Sequence, residues 1–266
     1  MSSQAARFVG TIPENYDRGL GPQIFGGYAK DLARRAAALA PTRVLELAAG
    51  TGILTRYLRD ALEDSSEIIA SDLNPPMLEV AAAKFQAGES VQFEQIDAMN
   101  IEHSEATFDL VICQFGVMFF PDKTDSYAEV CRVLVQSGSY IFNVWGSWDA
   151  NPFAKITHDA VAKFFPDDPP GFYKIPFGYH NEDEIRESLL QAGFATVDFE
   201  RLKIESEIPS SKEFAKGLVF GNPLYDEVVS RGGDPHEICT AVGEAIDTQL
   251  GEVMSLEAVI VHASKS

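Results

Sequence analysis

Basic residues are scarce in this chain. Lys and Arg number 21 against 40 Asp and Glu, a formal net charge of −19, and the cations gather into no stripe. That argues against a nucleic-acid polyanion as substrate or partner, because phosphate recognition draws on clustered Lys and Arg. The acidity reads as solubility, with a field that attracts cationic substrates as the sharper alternative. Cysteine is also rare. Cys113, Cys131 and Cys239 are widely spaced, with neither a CxxC pair nor a Cys/His pairing. Neither a disulfide framework nor a zinc site is expected, and Cys113, inside an apolar run, reads as core. The histidines at 103, 158, 180, 236 and 262 show no metal spacing, so no metal is expected. No apolar run approaches the roughly 20 residues of a membrane helix. The first ten residues lack the apolar stretch of a signal peptide. No membrane span is expected, and the expected location is cytoplasmic.

What is present suits a folded globular protein. Hydrophobic residues make up 45% and charged residues 23% of 266, enough to bury a core in one large domain or a domain with a cap. Gly19, Gly21, Pro22, Gly26 and Gly27 make the N-terminal stretch read as loop. Ala- and Leu-rich residues 28–39 read as a helix that stops before Pro41. A regular alternation follows. Strands are predicted at 44–47, 67–71, 91–95, 108–113 and 139–144, with helices at 52–62, 75–86 and 124–134 between them. The strand at 108–113 is apolar on both faces, as a central parallel strand should be. Such alternation argues for an α/β fold with a doubly wound, mostly parallel sheet. Prolines at 152, 166, 169, 170 and 176 then break the pattern around one helix at 153–164. A helix at 182–193, a long strand at 194–206, two or three short helices within 210–250 and a closing strand at 255–263 complete the chain. That brings the sheet to seven strands, with a helical cap formed by insertions. The expected organisation is a single domain, 1–266, with its cofactor-binding core at about 40–147. Cap and substrate segments are expected at about 1–30, 148–180 and 207–252.

The first predicted strand runs into Ala49-Gly50-Thr51-Gly52. A glycine turn there lets a ligand approach the backbone, and the next helix aims its N-terminal N–H groups at it. Asp72 follows at the end of the second strand, where a carboxylate accepts hydrogen bonds from ribose hydroxyls; it also reads as a helix N-cap. Together they describe a nucleoside-binding cleft. A dinucleotide fingerprint needs a third glycine, and Thr55 stands there instead. Glu46, in the strand end, would repel a pyrophosphate and suits a ligand bearing an ammonium group.

These residues resemble the class I S-adenosylmethionine-dependent methyltransferases, specifically the type 11 group that includes ubiquinone/menaquinone-biosynthesis enzymes. Val44-Leu45-Glu46-Leu47-Ala48-Ala49-Gly50-Thr51-Gly52 is similar to their first motif and Ser71-Asp72-Leu73-Asn74-Pro75-Pro76-Met77-Leu78 to the second. Gln95-Ile96-Asp97-Ala98-Met99 is similar to the third. Phe108 through Gly116, continued by Met118-Phe119-Phe120-Pro121-Asp122, is similar to the fourth. The resemblance covers about residues 43–144. It implies a Rossmann-like fold, S-adenosyl-L-methionine as cofactor and S-adenosyl-L-homocysteine as product. It places Gly50 and Gly52 against the methionine part of the cofactor, with Glu46 orienting that part. Asp72 would hold the ribose hydroxyls, and Leu73 and Met77 would pack near the adenine. Asp97 would accept from the adenine amino group, Ala98 would lie beside the ring, and Gln114 would lie near the methyl to be transferred. The family often has Gly where Ala48 stands, which implies a modest shift of the loop. Tyr16 is the leading candidate for an N-terminal aromatic folded over the cofactor. Asn74-Pro75-Pro76 is similar to an N-P-P signature of DNA amino methyltransferases but follows the wrong strand.

The expected activity is methyl transfer to a small-molecule acceptor. Phe153, Phe164, Phe165, Phe172, Phe177, Phe214 and Phe220, with Tyr28, Tyr173 and Tyr179, suggest an apolar or aromatic one. His158 and His180 are candidate general bases, with surface or structural roles as the alternative. No catalytic residue is assigned. A nicotinamide-dependent oxidoreductase on the same fold class, a non-catalytic S-adenosylmethionine-binding protein, and methylation of protein or RNA are the alternatives. Oligomeric state is not legible.

Overall fold

A computed structural model describes residues 6–266. The chain opens with helix α1 (Ile12–Gly19), a π-helical turn (Gly21–Phe25) and α2 (Gly26–Ala38). An alternating series follows: β1 (Arg43–Glu46), α3 (Ile53–Ala61), β2 (Glu67–Asp72), α4 (Pro75–Ala82), β3 (Val91–Gln95), β4 (Phe108–Gln114), α5 (Lys123–Val133) and β5 (Leu134–Trp145). Next come α6 (Pro152–Ala162), α7 (Glu182–Gln191) and β6 (Thr196–Glu207). Helices α8 (Ser211–Phe220), α9 (Leu224–Ser230) and α10 (Pro235–Gln249) separate β6 from β7 (Val253–Ser264).

The seven strands form one sheet in the order β3-β2-β1-β4-β5-β7-β6. Strands β1 to β5 run parallel, while β7 is antiparallel to both of its neighbours. This is the expected doubly wound sheet. Val44, Leu45, Leu110, Val111, Ile112 and Cys113 in its middle are all buried, because helices cover both faces and leave no polar side to alternate towards. Strand order reverses between β1 and β4, and a crevice opens there at the carboxyl ends of the strands. None of the described helices is long and apolar enough to cross a membrane.

The N-terminal stretch departs from the expected loop; positions 1–5 of the expected 1–30 cap segment lie outside the described residues. Pro13 sits in the first turn of α1, where its missing N–H leaves no bond unmade. Gly19 is there for contact: a Cβ on it would stand 2.6 Å from the Cα of Gly217 in α8. The glycines that suggest a loop thus let two helix backbones touch. Helix α4 ends earlier than the predicted 86. Lys84 N–H turns back to the carbonyl of Ala81, and its side chain leaves the helix to pair with Asp17.

Candidate active site

The glycine turn is built from left-handed backbone. Ala48 has φ +52°, Gly50 +56° and Gly52 +77°. Gly50 needs that conformation and faces open space: a Cβ would meet only the Met77 Cε, at 3.8 Å. Gly52 answers a packing demand, since a Cβ would lie 2.8 Å from the Cβ of Ala81 in α4. Ala48 carries its methyl into the space left by a missing one. A Cβ on Gly116 would come within 2.5 Å of the Ala48 Cβ and 2.7 Å of the Cys113 Sγ.

The turn is locked to β2 through Asp72. Its Oδ2 accepts from the Gly50 N–H at 2.9 Å, and its Oδ1 accepts from the Asn74 N–H at 2.8 Å and the Asn74 Nδ2 at 3.1 Å. Burial raises the Asp72 carboxyl above the ordinary carboxylate range, opposed by the N–H donors of Asn74, Gly50 and Leu73. Glu46 is only 1% exposed, and its Oε2 has no hydrogen-bond partner among the described residues. Burial pushes its carboxyl up to about 8, opposed by Thr55 and reinforced by the charge of Asp72. A buried, unpartnered carboxylate oxygen is unfavourable unless something donates to it.

A cleft of about 610 Å³ lies over this turn, within the range of small-molecule sites. The structure brings Tyr16, Ala48, Gly50, Asp72, Leu73, Met77, Asp97, Ala98 and Gln114 together on its walls. Leu73 is 37% exposed there, an apolar surface for a ligand to cover. Asp97 is exposed, and its Oδ1 accepts from the Met99 N–H at 2.9 Å. Gln114 donates through Nε2 to the Phe25 carbonyl at 2.9 Å. Glu46 and Gly52 do not line the cleft. Glu46 instead faces a small adjoining cavity that shares Tyr16, Ala48, Gly50 and Gln114 with it. The phenol of Tyr16 is shifted strongly upward by burial and by the charges of Asp72 and Asp17, so it keeps its proton.

A second cavity, about 60 Å³, adjoins the first through Phe8, Tyr16, Phe115 and Phe119. Its walls are aromatic. Phe115 and Trp145 stack 3.9 Å apart at 9°, and Tyr16 stacks on Phe25 at 4.8 Å. Of the expected aromatic lining, Phe153, Phe172, Phe177 and Tyr173 are present. The others lie elsewhere. Phe214 is core against Phe153, Phe220 lines an outer groove, and Phe164 and Phe165 line neither cavity. Tyr28 is buried behind Phe115 and Trp145, and Tyr179 bonds to Tyr127. Neither His158 nor His180 reaches either cavity; His158 packs on Trp148 instead.

Sequence reasoning missed Phe8, which sits in a stretch with no periodicity. It also set aside Asn74 as part of a misleading tripeptide. Among the described residues no cluster of His, Cys, Asp and Glu is placed to hold a metal ion.

The donor set fits S-adenosylmethionine. Glu46 offers an unpaired buried acceptor to an ammonium group, Asp72 offers lone pairs to hydroxyls, and the open face of Gly50 admits a chain against the backbone. The buried Glu46 carboxyl beside the turn is a poor match for a pyrophosphate, which it would repel when ionised.

Residues 44–138 match a protein family described as a methyltransferase domain. The chain is 36% identical over 135 residues to the demethylmenaquinone methyltransferase of Deinococcus radiodurans. That alignment takes in 49% of this chain and 56% of the relative, so little more than half of that protein is covered. It is 28% identical over 191 residues to the demethylmenaquinone methyltransferase of Lactobacillus johnsonii, covering 67% of this chain and 78% of that one. The fold is similar to the crystal structure of the YcgJ protein of Bacillus subtilis. The TM-score is 0.58 at 20% identity, over 90% of this chain and 98% of that chain.

Proposed function

We propose, from the match of residues 44–138 to a methyltransferase domain, that the chain transfers a methyl group from S-adenosylmethionine to an apolar, aromatic small molecule. A quinol is the first class to try, since the relatives act on demethylmenaquinone by name. The observation that carries this reading is the buried, unpartnered Glu46 oxygen at the glycine turn, one wall away from an aromatic cavity. The cofactor supplies an electrophilic methyl on a sulfonium. Glu46 accepts from its ammonium, Asp72 holds the ribose hydroxyls, and Asp97 with Ala98 borders the adenine. The aromatic walls of the second cavity, Phe115 and Trp145 among them, are the surface against which an acceptor ring would pack. The chain lowers the barrier by holding acceptor and methyl in line and excluding water. Bound there, the cofactor would supply that methyl, its sulfur retaining the carbon–sulfur electron pair as the acceptor's pair makes the new bond. The acceptor's proton passes to solvent when the product is released, since Tyr16 and Tyr173 hold their own protons firmly and do not serve as a base.

Titration calorimetry with S-adenosylhomocysteine tests the reading. Binding is expected, and Glu46→Gln weakens it by at least about tenfold, the scale of one charge-assisted hydrogen bond. Binding of a nicotinamide dinucleotide with none of S-adenosylhomocysteine refutes it. With labelled cofactor and a demethylmenaquinol-type quinol, methyl incorporation identifies the acceptor class.

A further inference from the structure

Asn74 occupies the N-cap position of α4, yet its side chain makes no cap hydrogen bond. An Asn there ordinarily accepts from the second or third N–H of the helix. Here the amide bridges two other places. Its Nδ2 donates to Asp72 Oδ1 at 3.1 Å and to the Ala6 carbonyl at 3.1 Å, and its Oδ1 accepts from the Phe8 N–H at 3.3 Å. One side chain therefore joins the carboxylate of the cofactor cleft to the N-terminal strap.

The strap matters to both cavities. Ala6, Arg7, Phe8 and Val9 wall the cofactor cleft, and the Phe8 ring also walls the aromatic cavity. That ring meets Tyr16 edge-on at 5.8 Å and Phe119 at 6.1 Å. The strap forms one wall of the cleft, so its displacement would widen the way in for a ligand. When it opens, the aromatic cavity loses a wall.

Resting on the function proposed above, we propose that Asn74 is a positioning residue that couples filling of the cofactor cleft to closure of the strap. The acceptor cavity is then complete only after the cofactor has bound. The carboxylate that offers lone pairs to ligand hydroxyls is the one the Asn74 amide donates to, at 3.1 Å. An ionised Asp72 Oδ1 fixes the Asn74 amide in the orientation that presents Oδ1 to Phe8 and Nδ2 to Ala6. Asp72 and the strap residues Ala6, Arg7, Phe8 and Val9 wall the same cleft, so a ligand seated on Asp72 and the strap that Asn74 ties to it settle together. The order of binding, cofactor before acceptor, follows.

Arg7 reports on the strap because it is exposed and lies within it. The protein is digested with trypsin, with and without saturating S-adenosylhomocysteine, and cleavage after Arg7 is followed by peptide mass. Calorimetry on the same samples confirms saturation. In the wild type the ligand is expected to slow this cleavage about tenfold, the scale set by two strap hydrogen bonds acting on a local opening. Asn74→Ser restores a good N-cap but cannot reach the strap, and Asn74→Ala does neither. Both variants, saturated with ligand, are expected to show less than about twofold protection. A plain capping role predicts that Ser behaves as wild type, and that result overturns the proposal. Ligand binding to the wild type without protection at Arg7 overturns it as well, and needs no variant to fold. Absence of ligand binding to the wild type removes the proposed function itself and the coupling with it, a failure that calorimetry sets apart from the others.

Discussion

Glu46 puts an ionisable group where water does not reach, and its carboxyl is held up to about 8. In the unfolded chain it ionises in the ordinary carboxylate range. Between the two values the folded state holds a proton that the unfolded state has lost. Stability from this site is therefore fully present at low pH and falls as pH rises through that window. Binding runs the opposite way. A cationic ligand needs the ionised form, so below pH 8 each bound S-adenosylhomocysteine releases a proton. Affinity rises roughly tenfold per pH unit up to about 8, levels off, and falls only at higher pH where the ligand's own amine deprotonates. Calorimetry in buffers of different ionisation enthalpy measures the released proton, and Glu46→Gln should flatten the acid limb. Ala48 offers a second residue-scale test. An L-residue at φ +52° is strained by ~1–2 kcal/mol, partly balanced by the entropy glycine loses on folding. Ala48→Gly is expected to raise stability by about 0.5–1 kcal/mol, read as the urea midpoint.

At the scale of elements, the helices that flank the sites meet through glycine. Gly217 lies inside α8, where glycine normally weakens a helix by ~1 kcal/mol. Replacing it should help, yet an added Cβ would sit 2.6 Å from the Gly19 carbonyl carbon, and backbone does not yield cheaply. Gly217→Ala is expected to destabilise by about 1–3 kcal/mol. Gly243→Ala, in α10, meets nothing closer than the Ala215 Cβ at 3.5 Å and is expected to stabilise by up to about 1 kcal/mol. Thermal melts of the two variants should move in opposite directions. The sequence could not separate these glycines. Gly19 and Gly217 are nearly two hundred positions apart, and their juxtaposition exists only once α1 packs on α8. The same reason explains why the strand–helix series was readable while the N-terminal helix was not. Apolar periodicity marks an element that buries one face on a sheet, whereas α1 is held by Gly19 against α8 and by Asp17, which pairs with Lys84 and accepts from Thr51 at 2.7 Å.

At the scale of the whole molecule, the cleft was legible because its parts are local in sequence. The glycine turn, Asp72 and Asp97 each sit at a strand end, and parallel strands bring such ends together. The aromatic cavity was legible only by residue type. Phe153, Phe172 and Phe177 reach it while Phe164, Phe165, Phe214 and Phe220 do not, a choice made by helix rotation and chain path that composition does not encode. Charge is the other global property. A net −19 leaves the folded chain repelling itself, and screening relieves compact states more than expanded ones. The melting temperature is therefore expected to rise from low to physiological ionic strength.

Ala48 and Gly116 share one methyl-sized space between them. With Ala at 48, a Cβ at 116 collides at 2.5 Å; with Gly at 48, that collision disappears and only the Cys113 sulfur, at 2.7 Å, stands against it. The two positions are therefore coupled: Ala48→Gly removes one of the two collisions that bar a side chain at 116 and leaves the other, so the cost of a change at 116 depends on what stands at 48.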